Sequence, residues 1–329
     1  MTKYKILEIL INNNGNFISG EILSLKLGVS RTAIWKGINS LKEKGYKIEG
    51  IRNKGYRLVS DIKDNISEYE IKKRCSFKEL GRNVYCFEKL DSTNTYIKEN
   101  NNFLKHGDIV IADEQMKGRG KFEKVFYSPK ESGIYMSIIL KKNIFSDSLK
   151  LLSIASFISV YNSIRKCTSF SPELEWDSIT ILGKKICGIL IEDNFKNEEE
   201  KKKYVVIGIG INVNNLNFPK NLKNKVTSLR IELNKEIDRV ELILNIIKEI
   251  EEIVCEKRYI FNRKKILDEY IKKVNFINKN VKIEILNRKI IGKVININEL
   301  GGLIILKENK KIEIVYRGKL KIIKDYEGE

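Results

Sequence analysis

The stretch from Ala112 to Pro129 sets glycine, cationic and aromatic side chains directly after a short β-branched run, Asp108–Ala112. Gly118 and Gly120 would let backbone N–H groups approach a ligand closely. Positive charge comes from four neighbouring side chains, Lys117, Arg119, Lys121 and Lys124. Such a loop suits a phosphate or a carboxylate. The alternative is a solvated basic turn, because short glycine motifs also arise by chance.

Two other polar clusters lie at the ends of predicted strands in the same part of the chain. The first consists of Ser92, Thr93 and Asn94, which could bond a small polar ligand or could cap a helix. In the second, Lys185 enters an apolar strand between two glycines, and its alternative role is that of a solvated lysine at a hairpin turn. Gln115 stands just before the glycine loop. We expect one site to gather these clusters at strand ends.

The elements that would position this site lie in the middle of the chain. From Glu68 to Ile271, strands and helices mix without strict β-α-β alternation, which indicates an α+β domain with a mixed sheet. The predicted strands are Val84–Phe87, Asp108–Ala112, Ile134–Leu140, Trp176–Ile181, Lys185–Glu192 and Tyr204–Ile211. The predicted helices are one that opens at Asp91, then Ser148–Arg165, Ile237–Cys255 and Phe261–Tyr270.

The N-terminal sixty residues have a different pattern. Apolar residues recur at helical spacing in Tyr4–Asn13, a second helix begins at the cap Ser19 and ends at Gly28, and a third runs from Ser30 to Gly45. Two helices joined by a tight glycine turn are typical of a helix-turn-helix, here with the third helix as the recognition helix.

Two short strands with a basic tip follow these helices, Tyr46–Glu49 and Gly55–Leu58, and they predict a wing. The side chains that we expect to reach DNA are Arg31, Thr32, Trp35, Lys36, Asn39, Arg52 and Lys54. Their cations would neutralise phosphates, and the polar and aromatic members could face base edges. The alternative is a small helical module for dimerisation or packing.

The end of the chain changes pattern again. Beyond residue 272, short strands are separated by glycines and asparagines, which predicts a small SH3-like β-barrel. The predicted domains are therefore a winged helix in residues 1–60, an α+β domain in 68–271 and a β-barrel in 272–329. A polar linker fills the gap before residue 68.

The charge distribution points to an anionic partner of the N-terminal domain. The 329 residues carry a net charge of +19, but a general abundance of lysine makes the location of charge more informative than its total. Residues 1–60 hold 11 basic and 4 acidic side chains, which leaves them more than twice as basic per residue as the rest. This local surplus favours nucleic acid.

Hydrophobic residues make up 42% of the chain and charged residues 32%, which describes a globular protein. No apolar run is long enough to cross a bilayer, and the N-terminus lacks a signal peptide, so we expect a cytoplasmic protein with no membrane partner. Five scattered cysteines and the single His106 argue against a disulfide framework, a zinc site and a histidine-pair mechanism.

Taken in order along the chain, the motifs resemble those of the biotin protein ligases, and the helix-turn-helix resembles that of their bifunctional members. The shared series runs through Ser-Thr-Asn, Glu-Gln with Gly-Arg-Gly, Tyr-Ser-Pro, and Lys-Lys-Ile-Cys-Gly-Ile-Leu, and it ends in Gly208–Asn214 and Thr227-Ser228-Leu229. The order and spacing are specific, although no single motif is. The resemblance covers nearly the whole chain.

This resemblance implies an ATP-dependent ligase that forms biotinyl-adenylate and transfers biotin to a lysine of a biotin carboxyl carrier protein. It implies that Ser92, Thr93, Asn94 and Gln115 hold biotin, and that Arg119, Gly120 and Lys121 hold its carboxylate and the α-phosphate. Lys185 matches the essential lysine of the family, so Lys185 and Arg119 are the implied catalytic residues. Mg²⁺ would accompany ATP, operator DNA would be a partner, and the adenylate-bound form would be a homodimer.

Two motifs depart from the family pattern. Where the family has Gly-Arg-Gly-Arg, then Gly-Arg and a tryptophan, this chain has Lys121, Glu123, Lys124 and Phe126. The family's Lys-Trp-Pro-Asn-Asp appears as Glu175–Ser178, one residue shorter and with the first charge reversed. The alternative function is therefore a biotin-responsive transcription regulator that transfers biotin weakly. A lipoate or octanoyl transferase would leave the N-terminal domain and Lys185 unexplained.

Overall fold

The computed structural model describes residues 2–43, 46–60, 66–74, 78–121, 124–141, 148–195, 203–255, 262–285 and 288–323. The chain forms two compact units, Met1–Lys73 and Arg74–Glu329. The predicted helix end at Gly45, the linker residues 61–65, Cys75 and Glu123 lie outside the described residues, so nothing tests those predictions. The predicted domain boundaries at 60, 68 and 272 stay predictions.

The first unit is a winged helix. Its helices are α1 (Thr2–Asn12), α2 (Gly20–Leu27), α3 (Arg31–Glu43) and α4 (Glu68–Arg74), and its strands are β1 (Lys47–Ile51) and β2 (Gly55–Ser60). Ser19 caps α2 by accepting a hydrogen bond from the Ile22 N–H, and Gly28 ends that helix in the left-handed conformation. Strands β1 and β2 pair antiparallel, and an isolated antiparallel β-bridge joins Ile18 to Tyr56 of β2. The predicted helix-turn-helix and wing are confirmed.

One side of each helix supplies the core of this unit. The fully buried members are Ile6, Leu7, Leu10, Leu23, Ile34, Ile38 and Leu41, joined by residues of the wing. Leu25 is 77% exposed and Ile22 is 45% exposed, so these two side chains of α2 lie outside the core. Leu23 is the buried residue of α2, and Leu27 packs against the same core while partly buried.

The second unit is built on a mixed seven-stranded sheet. Its strands are β3 (Val84–Leu90), β4 (Ile109–Gln115), β5 (Gly133–Leu140), β6 (Glu173–Leu174), β7 (Ile179–Ile181), β8 (Lys184–Asp193) and β9 (Val205–Asn212). They lie in the order β3-β4-β5-β9-β8-β7-β6, and β3 with β4 is the one parallel pair among the described strands. Every residue of β5 is buried, which fits a central strand covered on both faces.

Helices cover this sheet. They are α5 (Thr93–Glu99), α6 (Leu149–Thr168), α7 (Leu229–Leu233), α8 (Arg239–Ile250) and α9 (Arg263–Ile271). Helix α6 is buried over most of its circumference, and Ser156, Ser159 and Ser163 bond back to carbonyls one turn earlier, so these three hydroxyls are satisfied inside the helix. Helix α8 continues into a π-helical turn, Glu251–Cys255.

The C-terminal residues form a five-stranded antiparallel sheet. Its strands are β10 (Asn280–Ile285), β11 (Arg288–Ile297), β12 (Leu303–Leu306), β13 (Ile312–Val315) and β14 (Lys319–Ile322). Their order is β13-β12-β11-β10-β14, so the last strand returns to pair with the first. This sheet is the predicted C-terminal β-domain, and it contributes residues 316–320 to the two cavities described below.

Two predicted elements are wrong in extent. Trp176–Ile181 is a strand only over Ile179–Ile181, because Trp176 and Asp177 lie in the turn that links β6 to β7. The predicted helix Ile237–Cys255 is α-helical only over Arg239–Ile250, after the cap Asp238. Helices α4 and α7 had no counterpart among the predicted elements.

The burial difference within α2 can be tested with two matched substitutions. We expect Leu23→Ala to lower the free energy of unfolding of the first unit by about 2–5 kcal/mol, because it leaves a cavity. Leu25→Ala should stay within about 0.5 kcal/mol of the parent. Native-state hydrogen exchange of the core amides measures both values, and equal effects would contradict the observed burial.

Candidate active site

One cavity of about 490 Å³ in the second unit collects every residue that the sequence assigned to the ligand site. Its wall includes Ser92, Thr93, Asn94, Gln115, Arg119, Gly120, Lys121 and Lys185. These residues come from α5, from the end of β4, from the glycine loop and from β8. Sequence-distant polar clusters therefore face one space, as the argument from strand ends predicted.

The polar end of the cavity is a connected hydrogen-bond network. Gln115 Oε1 accepts from the Thr93 backbone N–H (3.0 Å) and from its hydroxyl (3.2 Å). Ser137 Oγ lies 2.6 Å from Thr93 Oγ1 and 2.5 Å from Asn94 Oδ1. Ser92 stands at the cap position of α5 but makes no side-chain cap bond. Ser92 therefore does not cap α5 with its side chain, and Gln115 instead links the first residue of α5 to the end of β4.

Glycines on β8 and β9 form the floor. Gly188 and Gly210 are register partners, and Leu190 is paired with Gly208. A Cβ on Gly208 would lie 2.2 Å from Asn94 Oδ1, and one on Gly210 would lie 2.7 Å from the Phe126 ring. Real Cβ atoms do not come this close, so both positions need glycine for the side chains above them to fit.

The glycine loop is a closed turn rather than an open ring of backbone donors. The Gly120 N–H donates to the Lys124 carbonyl (2.6 Å), and the Phe126 N–H donates to the Gly118 carbonyl (2.8 Å). The expectation that the N–H of Gly120 is free to approach an anion is therefore wrong for this structure. Gly118 is buried, and a Cβ there would lie 2.5 Å from the Phe126 carbonyl oxygen. The charged side chains of the loop that line the cavity are Arg119, Lys121 and Lys124.

Arg119 is paired with Glu192 at the edge of the cavity. Its Nη2 lies 2.9 Å from Glu192 Oε2, and the same carboxylate also accepts from Asn94 and from Lys98. Glu192 stands near the end of β8, so it links the glycine loop, α5 and the sheet. Sequence reasoning missed Glu192, because its partners are 73 to 98 positions away along the chain.

Lys121 and Lys185 bring positive charge to the centre of the site. Burial lowers the pKa of the Lys121 ammonium, the nearby Asp177 carboxylate opposes that effect, and the Lys185 charge adds to it. The two ammonium groups are thus close enough to repel each other and would both be stabilised by an anion. Lys117 instead points to solvent, where it pairs with Asp91 (2.9 Å).

Backbone hydrogen bonds hold the main chain of Lys185 in place. Its N–H donates to the Lys225 carbonyl, and its own carbonyl accepts from the Thr227 N–H, both at 3.0 Å. The Asn212 amide donates to the Thr227 carbonyl (3.0 Å), so β9 holds the same segment from its other side. The motif that contains Asn212 therefore anchors the segment that borders the cavity.

Asp177 is the carboxylate that the shortened motif provides. It lines the cavity together with Glu175 and acts electrostatically on Lys121. Burial raises the pKa of the Glu175 carboxyl, the Ser178 hydrogen bond opposes this, and Asp177 adds to it. The loss of one residue from the motif has thus not removed a carboxylate from the site. The sequence left this point open because a one-residue gap can be aligned in two ways.

In the first unit, the residues expected to contact DNA are at its surface. Trp35 is 56% exposed although it is aromatic, and Arg31, Thr32 and Lys36 are exposed on the same helix. Asn39 is half-buried, whereas Arg52 and Lys54 are exposed in the turn between β1 and β2. Arg31 pairs with Glu21 (2.6 Å), and both of those side chains are largely in solvent.

Two family models match the chain. Residues 2–57 match a model described as an HTH domain, and residues 86–212 match the biotin/lipoate A/B protein ligase family. Over 327 residues, the chain is 33% identical to the bifunctional ligase/repressor BirA of Bacillus subtilis, with 96% of this chain and 97% of that protein covered. The chain belongs to the bifunctional BirA ligase/repressor family.

More distant members of the BirA family agree. The Escherichia coli bifunctional ligase/repressor is 28% identical over 296 residues, with 89% of each chain covered. Among solved structures, the biotin protein ligase from Aquifex aeolicus in complex with biotin and ATP aligns with a TM-score of 0.62. It is 29% identical, and the match covers 74% of this chain and 100% of that one.

The family assignment confirms the winged helix, the central α+β domain and the ligase resemblance drawn from the sequence. Within the described residues, no three His, Cys, Asp or Glu side chains cluster so that they could hold a metal ion. No described helix is both long and apolar enough to span a membrane.

The Arg119–Glu192 pair can be tested by Glu192→Gln. The pair is partly exposed, so its loss should raise hydrogen exchange of the 118–126 loop amides by only about fivefold, which corresponds to about 1 kcal/mol. Lys130→Gln is the matched control, because it removes an exposed pair with Glu88 elsewhere. Complete loss of protection in the loop would contradict this limited role.

Proposed function

We propose that this protein is an ATP-dependent biotin–protein ligase that also represses transcription by binding operator DNA. The observation that carries the ligase function is the single cavity that joins the hydroxyl and amide cluster, the glycine loop and Lys185. The relatives indicate the substrates, since the biotin protein ligase from Aquifex aeolicus has been solved in complex with biotin and ATP. The similarity to bifunctional repressors and the helix-turn-helix support the DNA-binding role.

The reaction has two steps. A carboxylate oxygen of biotin attacks the α-phosphorus of ATP, the bond to the bridging oxygen breaks, and diphosphate leaves with that electron pair. A lysine amine of the carrier protein then attacks the acyl carbon, AMP leaves, and the amine gives up a proton. Both reactants of the first step are anions, so fixed cations and alignment must supply most of the rate.

The cavity suggests a role for each group. Ser92, Thr93, Asn94 and Gln115 would hold the polar ring of biotin above the floor formed by Gly208 and Gly210. Arg119, Lys121 and Lys185 would lie around the carboxylate and the α-phosphate. Lys185 and Arg119 are the proposed catalytic residues, because they would stabilise charge at the reacting atoms, and Gly120 would keep the loop close to them.

Mg²⁺ would arrive with ATP as part of the substrate. It takes oxygen ligands and is commonly held by one or two carboxylates together with phosphates, a requirement that the single carboxylate of Asp177 meets. When bound, the ion would shield the triphosphate charge. The carrier would be a biotin carboxyl carrier protein, and the adenylate-bound form would be a homodimer whose two winged helices meet a two-fold operator.

A transfer assay tests the ligase function as a whole. The purified protein is incubated with ATP, Mg²⁺, labelled biotin and a biotin carrier domain, and label should appear on the carrier. If biotin binds but no label reaches the carrier, the ligase assignment fails. The function would then be that of a biotin-responsive regulator with weak or lost transfer, which Glu175 and Glu123 first suggested.

Replacement of Lys185 tests the assignment of the catalytic cation. We expect Lys185→Ala to slow adenylate formation by about a hundredfold or more, because a charge-stabilising group at the reacting atoms is lost. Lys184→Ala is the matched control, since Lys184 is adjacent on β8 but does not line the cavity. Equal rates for the two variants in a diphosphate-release assay would remove Lys185 from this role.

The DNA contacts can be tested without knowledge of the operator. Arg31 and Lys36 are both exposed on α3, and each phosphate contact adds about 0.9 to the slope of log K against log salt. We expect the double replacement Arg31→Ala with Lys36→Ala to reduce the slope by about 2 on a random-sequence duplex. Lys248→Ala, in the second unit, is the control, and an unchanged slope in the double variant would contradict this recognition helix.

A further inference from the structure

A second chamber lies beside the proposed adenylate site and is not explained by the roles assigned so far. It has a volume of about 200 Å³ and shares Lys121, Asp177 and Leu190 with the main cavity. Its other walls come from α6, which supplies Lys150 and Ser153, and from residues 316–318 of the C-terminal sheet. At about 30 Å³ per water molecule it has space for about six waters, so it exceeds a structural water site.

Three cations border this chamber. Lys150 and Lys121 lie on its wall with Arg317, and Asp177 is the carboxylate that acts on both lysines. Lys150 Nζ is 4.4 Å from the centroid of the Trp176 ring, and no ion pair of Lys150 is found among the described residues. Burial and, to a smaller extent, the Lys121 charge lower the pKa of Lys150 to about 7, although Asp177 opposes both effects. The positive charge here exceeds what Asp177 balances.

Two buried hydrogen-bond donors on the same wall also lack partners. Trp176 is 2% exposed and its indole Nε1–H has no acceptor among the described residues, and the Ser153 hydroxyl is likewise unpaired. Buried donors without acceptors are costly and uncommon, so they point to a ligand that accepts hydrogen bonds. An N–H, an O–H and three cations together are complementary to a multiply charged oxyanion.

We propose that Lys150 and Arg317, with the Trp176 indole N–H and the Ser153 hydroxyl, bind the two terminal phosphates of ATP and the diphosphate that leaves. This rests on the proposed ligase function, because it places the leaving group in the chamber while the α-phosphate stays at Lys121 and Lys185. Lys121 and Asp177 stand on the wall between the two spaces, where the breaking bond would lie. The cation missing from position 175 of the family motif is thus replaced from α6.

Inorganic pyrophosphate is the probe that separates this proposal from the ligase function itself. Its binding to the full chain is measured by equilibrium dialysis, without biotin or ATP, for the parent protein, for Lys150→Met and for Arg317→Gln. Loss of one charged hydrogen-bond donor should weaken binding by about tenfold or more in each variant. Lys130→Met is the control for the loss of one positive charge. Lys130 is exposed, pairs with Glu88 and does not line the chamber.

A spectroscopic measurement locates the bound ion. The chain has two tryptophans, so in a Trp35→Phe background the fluorescence reports on Trp176 alone. We expect pyrophosphate to change this emission, and Lys150→Met to abolish the change at the same concentration. Far-ultraviolet circular dichroism of Lys150→Met, measured in parallel, should match that of the parent protein if the variant is folded.

Three results would overturn the proposal. These are parental pyrophosphate affinity in both Lys150→Met and Arg317→Gln, no effect of pyrophosphate on Trp176 emission, or equal affinity for orthophosphate and pyrophosphate. A parent protein that binds pyrophosphate at the chamber but forms no adenylate would contradict the ligase function and leave the chamber assignment standing. If Lys150→Met fails to fold, Arg317→Gln alone decides, since Arg317 is exposed on a turn.

Discussion

Lysine side chains that are brought together out of bulk water repel one another, and each loses hydration that a distant counterion does not replace. In this protein Asp177 is the carboxylate that acts on both Lys121 and Lys150. The lysines are held in place because α6, the glycine loop, β8 and the C-terminal sheet all contribute to the walls of the two cavities. An anionic substrate relieves the repulsion, so the same feature that costs stability in the empty protein favours binding.

The sequence could predict which residues come together in the main cavity of the second unit because its motifs are local. Each motif sits at the end of a strand or the start of a helix, where a few residues determine both the backbone turn and the exposed side chains. All eight residues assigned in this way, from Ser92 to Lys185, line one cavity. The winged helix was predicted for the same reason, since caps such as Ser19 and stops such as Gly28 act within one turn.

The contacts that could not be predicted join residues far apart in the chain. Glu192 accepts hydrogen bonds from Asn94 and Arg119 because the fold brings β8, α5 and the glycine loop together. Ser137, on the central strand β5, is likewise within hydrogen-bond distance of Thr93. In the sequence, Lys150 is a charged residue near the start of the long predicted helix Ser148–Arg165. Trp176 was predicted to begin a strand, yet it lies in a turn, where Lys150 of α6 lies over its ring.

Lys185 combines a fixed base with a long side chain. Its backbone N–H and carbonyl are both bonded to the segment 225–227, so the main chain at this residue has little freedom. All of its adaptability is therefore in the four rotatable bonds of the side chain, which can swing an ammonium group over several ångströms without moving the strand. In the proposed reaction, the ammonium group of Lys185 would follow the charge from the carboxylate to the phosphate while its backbone stays in place.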